Sequence, residues 1–342
     1  MMADRSAQPR RSAAAAGPQK PQKTNAKLYF SGWVWLALAI LVCGLVIDRF
    51  GGTGVIPGWQ QLERLVGRSP TAQQAASPCT VTFFDVGQGD AVLIGQDGAF
   101  CLIDTGPADS ADSLCRALNQ AGVERLDYLV LTHPDADHIG GAVQVLRRIA
   151  VEELLVPFAE IDPDASGWQD NIYNDAAQKN IPVTAVQAGQ SYALGGGRLQ
   201  ILLANYRPEG PESSTNDRSV CLRYVNGDFS FLDTGDAEWA TESELVRLYG
   251  RELRSTLMKA GHHGSATSNS GALLGAVRPR YVAISCGKDN PYGHPHEQVL
   301  RGFAQVDAQI FRTDEDGTLV FTLRDGVLHT PWGEETNDLY AA

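Results

Sequence analysis

Between Leu129 and Gly141 the chain reads LVLTHPDADHIGG, which places His133, Asp135, Asp137 and His138 within six residues. Imidazole nitrogens and carboxylate oxygens are ligands for Zn²⁺, Mn²⁺ or Fe. His133 and Asp135 stand two apart and converge on one ion if the loop curls. Asp137 and His138 are adjacent, point elsewhere and suit a second ion. Two ions about 3.5–4 Å apart clamp both the attacking and the leaving oxygen of a displacement. The bland alternative is a polar turn with surface acids. That fits a lone histidine better than four ligands at one strand end.

Three further stretches carry similar chemistry. FLDTGDAE offers Asp236, whose two oxygens could bridge two metals, with Asp233 just before it; such turns are common, so alone it decides little. KAGHHGS offers His262 and His263, which as neighbours cannot easily share one ion: one is expected to ligate, the other to support it or meet substrate. NPYGHPH adds His294 and His296, where a plain turn is an equal reading. Six of the seven histidines fall in these clusters. FFDVGQGDA and LIDTGP put Asp85, Asp90 and Asp104 in glycine turns, where a carboxylate orients a metal-bound histidine or only holds its own turn.

The elements that must position these groups are legible as apolar runs. LDYLVLT reads as a buried strand ending at the first ligands, and GGAVQVLRRIA reads as a helix that Gly140 and Gly141 allow to start close by. TVTFFDVG, DAVLIG and GAFCLID are short β-rich runs, SADSLCRALNQAG is an amphipathic helix, and SVCLRYVNG with DFSFLDTG reads as a hairpin. EELLVP, GRLQILLAN, STLMKA, RYVAISCG and TLVFTL complete the strands, with a helix over roughly 237–250, a polar stretch over 160–180 and a loop after KAGHHGS. No repeat recurs at a fixed period. Strands mixed with helices imply an α/β (α+β) domain of two mixed sheets covered by helices.

The first residues differ from this body. Residues 1–27 have a disordered, basic composition and carry +5 of a total of −12, leaving −17 on the rest. So acidic a body argues against general nucleic-acid binding, which needs Lys and Arg. Residues 28–47 hold no charge, and at about 1.5 Å per residue they span a hydrocarbon core of about 30 Å. The alternative is a cleaved signal peptide, but the long basic leader and the lack of an A-x-A site favour an anchor. The expected order is a cytoplasmic tail 1–27, a transmembrane signal-anchor helix 28–47, a linker 48–78, a domain 79–330 and a tail 331–342. The basic flank places the N-terminus inside and the domain on the extracellular side of the cytoplasmic membrane. Six cysteines without a C-x-x-C pair support neither a zinc ribbon nor a thioredoxin-like motif.

THPDADHIGG resembles the H-x-H-x-D-H motif of the metallo-β-lactamase superfamily. With DVGQGDA, LIDTG, LDTGDA, KAGHHGS and NPYGHPH, over roughly residues 79–325, it is similar to the hydrolase domain of the ComEC competence protein family. The resemblance implies a four-layer αββα sandwich with two divalent ions, Zn²⁺ or Mn²⁺, at one edge between the sheets. It implies hydrolysis by a metal-bound hydroxide, of a phosphodiester. His133 and Asp135 would hold one ion; Asp137, His138 and His263, placed before Gly264, would hold the other; Asp236 would bridge. Asp137, His262 and His294 are the catalytic candidates, His262 or His294 assisting the leaving group. Asp85, Asp90, Asp104, Asn216 and Lys259 are candidates to support ligands or meet substrate.

Two departures matter. Asp135 stands where many members have His, which hardens the site toward Mn²⁺ or mixed Zn²⁺ occupancy. The histidine expected before the TGD turn is missing from STNDRSV, where Asn216 or Asp217 would stand in, so one ion is expected to bind weakly. ComEC proteins also carry a many-helix channel, whereas one membrane segment is legible here. The expected protein is therefore a tethered metal-dependent phosphodiesterase or nuclease, with single-stranded DNA as substrate and a competence or uptake machinery as partner. The alternatives are a hydrolase of a cell-surface phosphodiester such as a phosphorylcholine ester, and a non-catalytic accessory module of an uptake machine.

Overall fold

The computed structural model describes residues 77–158, 167–209 and 214–333, with 335, 336 and 339. The expected tail, membrane anchor and most of the linker lie outside the described residues. Among the described residues no helix is long and apolar enough to cross a membrane.

The first sheet is built around an antiparallel meander of β1 (Cys79–Phe83), β2 (Val92–Gln96) and β3 (Ala99–Ile103). β4 (Arg125–Val130), β5 (Ala150–Val156) and β6 (Val183–Ala185) extend it in parallel. The second sheet begins with antiparallel β7 (Ser191–Leu194), β8 (Gly197–Leu203), β9 (Cys221–Asn226) and β10 (Phe229–Asp233). It continues in parallel through β11 (Leu257–Lys259), β12 (Tyr281–Ile284) and β13 (Gln309–Arg312). β14 (Leu319–Arg324), β15 (Val327–His329) and β16 (Glu335–Thr336) return to the first sheet beside β1. Both sheets are mixed, as the alternation of runs implied, and β9–β10 is the expected hairpin.

The strands read as unbroken apolar runs because both faces are covered. On β3, Cys101 and Ile103 face a core between the sheets, while Leu102 faces a second core under helices. Between the sheets Phe83 packs edge-on against Phe231, with ring centroids 5.6 Å apart. The outer core of the first sheet lies under α1 (Ala111–Gln120), α2 (Ala136–Ile139), α3 (Ala142–Arg148) and α4 (Trp168–Gln178). That of the second lies under α5 (Trp239–Tyr249), α6 (Gly271–Val277) and α7 (Glu297–Gln305). The layers run helix, sheet, sheet, helix.

Two expectations are corrected. The polar stretch over 160–180 contains α4, whose Ile172 and Ala176 are buried. The stretch after KAGHHGS is not all loop: it holds α6, whose first turn is capped by the Ser270 hydroxyl accepting from Leu273 N–H at 3.3 Å. GALLGAV hides this helix, because two glycines in seven residues carry poor helix propensity and packing of Leu273, Leu274 and Val277 overrides it.

Candidate metal centre

The parallel strands deliver the site. Asp104 follows β3, Thr132 and His133 follow β4, Asp236 follows β10, and His262 and His263 follow β11. Ligands in open α/β sheets gather beyond such carboxyl ends. The loops are tied at the backbone: Asp90 N–H donates to Asp137 O at 3.1 Å and Thr105 N–H to His138 O at 2.7 Å. Gly141 is required by closeness, since a Cβ there would sit 2.4 Å from Thr105 O. Gly264 lies at φ +84°, and a Cβ there would meet Pro295 Cβ at 2.6 Å.

One hydrogen-bond relay aims the histidines. Asp104 accepts from Thr132 N–H at 2.8 Å and from Thr132 Oγ1–H at 2.6 Å. Its Oδ2 also lies 2.7 Å from His138 Nδ1. Because the Thr132 hydroxyl proton is committed to Asp104, Thr132 Oγ1 accepts from His133 Nδ1–H across 3.0 Å. Ser285 O accepts from His263 Nδ1–H at 3.0 Å. In each case Nδ1 carries a proton, so Nε2 is left as the ligand atom, an assignment made from the network.

Those three Nε2 atoms and Asp236 Oδ1 are buried without a hydrogen-bond partner. A buried polar atom left so costs about 1–3 kcal/mol. Asp236 Oδ2 lies 3.2 Å from His138 Nε2, 3.5 Å from His263 Nε2, 3.7 Å from His262 Nε2 and 3.9 Å from His133 Nε2. The approach to His138 is close but not directed as a hydrogen bond. Ligand atoms of Asp90, His138, Asp236 and His263 all lie within 4.8 Å of one another. Ligand-type atoms facing one another with no hydrogen bond between them fit a cation.

Charge tells the same story. Burial pushes the Asp236 carboxyl up, but His138 and His263 outweigh it and hold it well below the usual range. Burial pushes His138 down, yet Asp236 and Asp104 hold it well above an ordinary imidazole. His263, opposed by burial and favoured by Asp236 and Asp90, is raised to about 10. Without an ion, the carboxylates gather protons onto these histidines.

The structure brings His133, Asp137, His138, Asp236 and His263 together. Asp137 Oδ2 lies 3.3 Å from His263 Nε2. Asp135 stands at the rim: its side chain is 43% exposed, its Oδ2 is 3.9 Å from His133 Nε2, and its Oδ1 accepts from Thr215 Oγ1–H at 3.0 Å. Asp104 supports ligands as described. Asp90 enters the cluster itself, although Lys259 Nζ lies 2.6 Å from its Oδ2 and already balances its charge. Lys259 is buried and also donates to Gly235 O and Ala260 O, so it belongs to the wall and does not meet substrate. Asp85 is exposed and accepts from Gly87 N–H at 3.1 Å, holding its own turn. In the region of Asn216, the described contact to the site comes from Thr215, and Asp217 instead accepts from Thr241 Oγ1–H at 2.6 Å. His262 is partly exposed beside Asp236. His294 stacks on His263 at 6.2 Å with its Nδ1 unpartnered. Burial, then His263, His262 and His296, lower His294 to about 4, so it is neutral at pH 7. His296 is turned away, its Nδ1 accepting from Ala266 N–H at 2.9 Å. Thr132, Thr215 and the Ser285 carbonyl were not foreseen from sequence.

Residues 84–197 match the model of the metallo-beta-lactamase superfamily. The folded domain belongs to this superfamily. It is similar to the ComE operon protein 3 of Bacillus subtilis (strain 168), with 30% identity over 267 residues, covering 72% of this chain and 33% of that protein. It is also similar to the competence protein ComA of Neisseria gonorrhoeae, with 36% identity over 248 residues, covering 72% of this chain and 32% of that protein. The chain thus spans about a third of the length of these curated relatives. Among solved structures, the metallo-beta-lactamase fold protein YhfI from Bacillus subtilis has a TM-score of 0.49 at 12% identity, covering 71% of this chain and 99% of that one.

Proposed function

We propose that this superfamily domain is a metal-dependent phosphodiesterase that cleaves single-stranded nucleic acid in a DNA-uptake system, tethered at the outer face of the membrane by residues 28–47. The buried cluster of inward-facing Nε2 atoms around Asp236 carries the metal-dependent part. The similarity to competence proteins supports the uptake part. His133, His138, His263, Asp137 and Asp236 would hold the metal, which when bound supplies Lewis acidity and lowers the pKa of water toward about 7. Asp104 and Thr132 lock two of the imidazoles in the ligating tautomer. His262, partly exposed 3.7 Å from Asp236, would pass a proton to the leaving oxygen. Neutral His294 serves as a hydrogen-bonding partner there.

The rim offers a reason to favour a nucleic acid. Tyr292 is 63% exposed and stacks on His294, with centroids 5.6 Å apart and planes 22° from parallel. An open aromatic face one ring from the ligands suits a base of an unpaired strand. A second reading has its own observation. The cleft of about 590 Å³ beside His294 sets Lys288 and Arg312 against Asp289, Asp314 and Glu315, a near balance that suits a small zwitterionic phosphodiester. The deciding assay loads the full chain with Mn²⁺ or Zn²⁺ and compares single-stranded DNA with a choline phosphodiester, alongside Asp236→Ala. Faster turnover of the choline ester selects the second reading. No turnover of either substrate, or activity that survives Asp236→Ala, refutes both, and less than about one bound metal equivalent leaves the accessory module.

A further inference from the structure

Among the described residues three aromatic rings are more than half exposed: Trp239, Tyr292 and Trp332. Trp332 packs against Phe311, with ring centroids 4.4 Å apart. The other two stand on loops of the metal centre. Tyr292 reaches it by stacking on His294. Trp239, the first residue of α5 and 54% exposed, follows Asp236 by three residues. Metal binding makes no use of it.

Trp239 is held in place. Its backbone N–H donates to Thr267 O at 3.0 Å and its Nε1–H to Ser268 O at 3.3 Å. Thr267 in turn sets its Oγ1 3.3 Å from His262 Nδ1. The same loop leads on toward Tyr292. Ala266 N–H donates to His296 Nδ1 at 2.9 Å, and His296 lies edge-on to His294 at 4.9 Å. A rim therefore runs from Trp239 through Thr267, Ala266, His296 and His294 to Tyr292. His262 joins that rim to the ligands: its ring lies 5.7 Å from that of His294, and its Nε2 lies 3.7 Å from Asp236 Oδ2. The two open rings stand at the two ends of the rim, and His262 meets the stretch between them.

With its Nε1–H spent on Ser268 O, the indole has no donor left and offers a ligand its face. Such a face suits any base, since every base has a π-face. A choline phosphodiester brings one cation for one aromatic face. An unpaired strand presents a base on either side of each internal phosphate, and two open rings match that.

We propose that Trp239 is a second base-stacking platform, so that a strand lies across His262 with one base on Trp239 and a neighbouring one on Tyr292. The inference rests on the reading of single-stranded nucleic acid as substrate, but its test needs no turnover. Labelled oligothymidylate is titrated with the full chain in EDTA and followed by fluorescence anisotropy, beside a strand of equal length without bases. Trp239→Ala is expected to weaken oligothymidylate about 5- to 150-fold and to leave the baseless strand unchanged. Trp239→Phe is expected to keep most of the affinity: it restores the face but not the bond to Ser268, so a purely structural role of that bond would not spare it. Because the two rings serve different bases, the losses in Trp239→Ala and Tyr292→Ala are expected to multiply. No binding of oligothymidylate, unchanged affinity in Trp239→Ala, an equal loss on both strands, or a double variant no weaker than either single one overturns the proposal. So does a loss confined to glycerophosphocholine, which would put a quaternary ammonium on the indole. Binding with the expected losses but no hydrolysis defeats the nuclease reading alone. Hydrolysis with unchanged affinity in Trp239→Ala defeats this inference alone.

Discussion

Asp104→Asn tests the relay without moving the backbone. Asp104 lies at φ 57°, in the left-handed region that asparagine tolerates as well as aspartate. The amide oxygen can keep the 2.8 Å bond from Thr132 N–H. The amide nitrogen, however, would face His138 Nδ1, which now lies 2.7 Å from a carboxylate oxygen. It can only donate, so His138 must turn Nδ1 into an acceptor and carry its proton on Nε2, the ligand atom. The same nitrogen replaces the oxygen that accepts from Thr132 Oγ1–H at 2.6 Å, so the loss is at least one hydrogen bond to a charged acceptor, about 1.5–3 kcal/mol. At about 1.4 kcal/mol per factor of ten, that agrees with the about 10–100-fold loss of metal affinity seen when a residue supporting a ligand is removed. Chelator competition with Mn²⁺ and Zn²⁺ measures it, and the unfolding midpoint of the metal-free variant checks the fold. A folded Asp104→Asn protein with wild-type metal affinity would refute the tautomer argument.

Three further outcomes are expected. Tyr292→Ala should raise KM for single-stranded DNA about 5- to 150-fold, the equivalent of about 1–3 kcal/mol of base stacking; a strand lacking bases should show no such change, and an equal change on both strands rejects stacking. In the metal-free protein His263 is raised from 6.5 to about 10, so the folded state holds that proton more tightly than the unfolded chain. Its stabilisation is full below pH 6.5 and is lost as pH rises through about 10. Thermal midpoints in EDTA should therefore fall across that window, more steeply than in His263→Gln, and identical slopes would dismiss the effect. Phe83→Ala, between the sheets, should cost about 3–5 kcal/mol in denaturant unfolding; a loss below about 1 kcal/mol would mean the inter-sheet core repacks.

The strands were legible because each is covered on both faces, which writes an apolar run into the sequence whatever its partner. The four-ligand turn was legible because its ligands are local. What was hidden depends on distance along the chain. Thr132 and Asp104 are 28 residues apart, and nothing in LVLTH says that the threonine hydroxyl joins two imidazoles to one carboxylate. The Ser285 carbonyl that orients His263 has no side-chain signature at all. From sequence Lys259 is a residue that either supports ligands or meets substrate. Only the fold reveals that Asp90 comes within 2.6 Å of it. Lys259 therefore neutralises one carboxylate of the cluster from within, which FFDVGQGDA and KAGHHGS do not disclose separately.

That internal pairing changes which residue governs the ion. Asp90, Asp104, Asp233 and Asp236 are buried, and Lys259 is the one buried lysine or arginine among the described residues. Buried carboxylates must be paired, hydrogen-bonded or protonated. Lys259 answers for Asp90, and the relay of donors answers for Asp104. Asp233, pushed up by burial against the pull of Lys259, sits at about 7 and so takes up a proton near neutrality. Asp236 is balanced only at longer range: its Oδ1 finds no hydrogen-bond donor and lies 4.0 Å from Lys259 Nζ, and its Oδ2 faces four imidazoles at 3.2–3.9 Å. From sequence, Asp135 is the residue that hardens the site toward Mn²⁺ or mixed Zn²⁺ occupancy. In the fold Asp135 is 43% exposed and bonded to Thr215, where water screens its charge. The hard oxygen that an ion would meet in the dry centre is that of Asp236, so metal preference should follow Asp236 and the three Nε2 atoms around it more than the rim carboxylate.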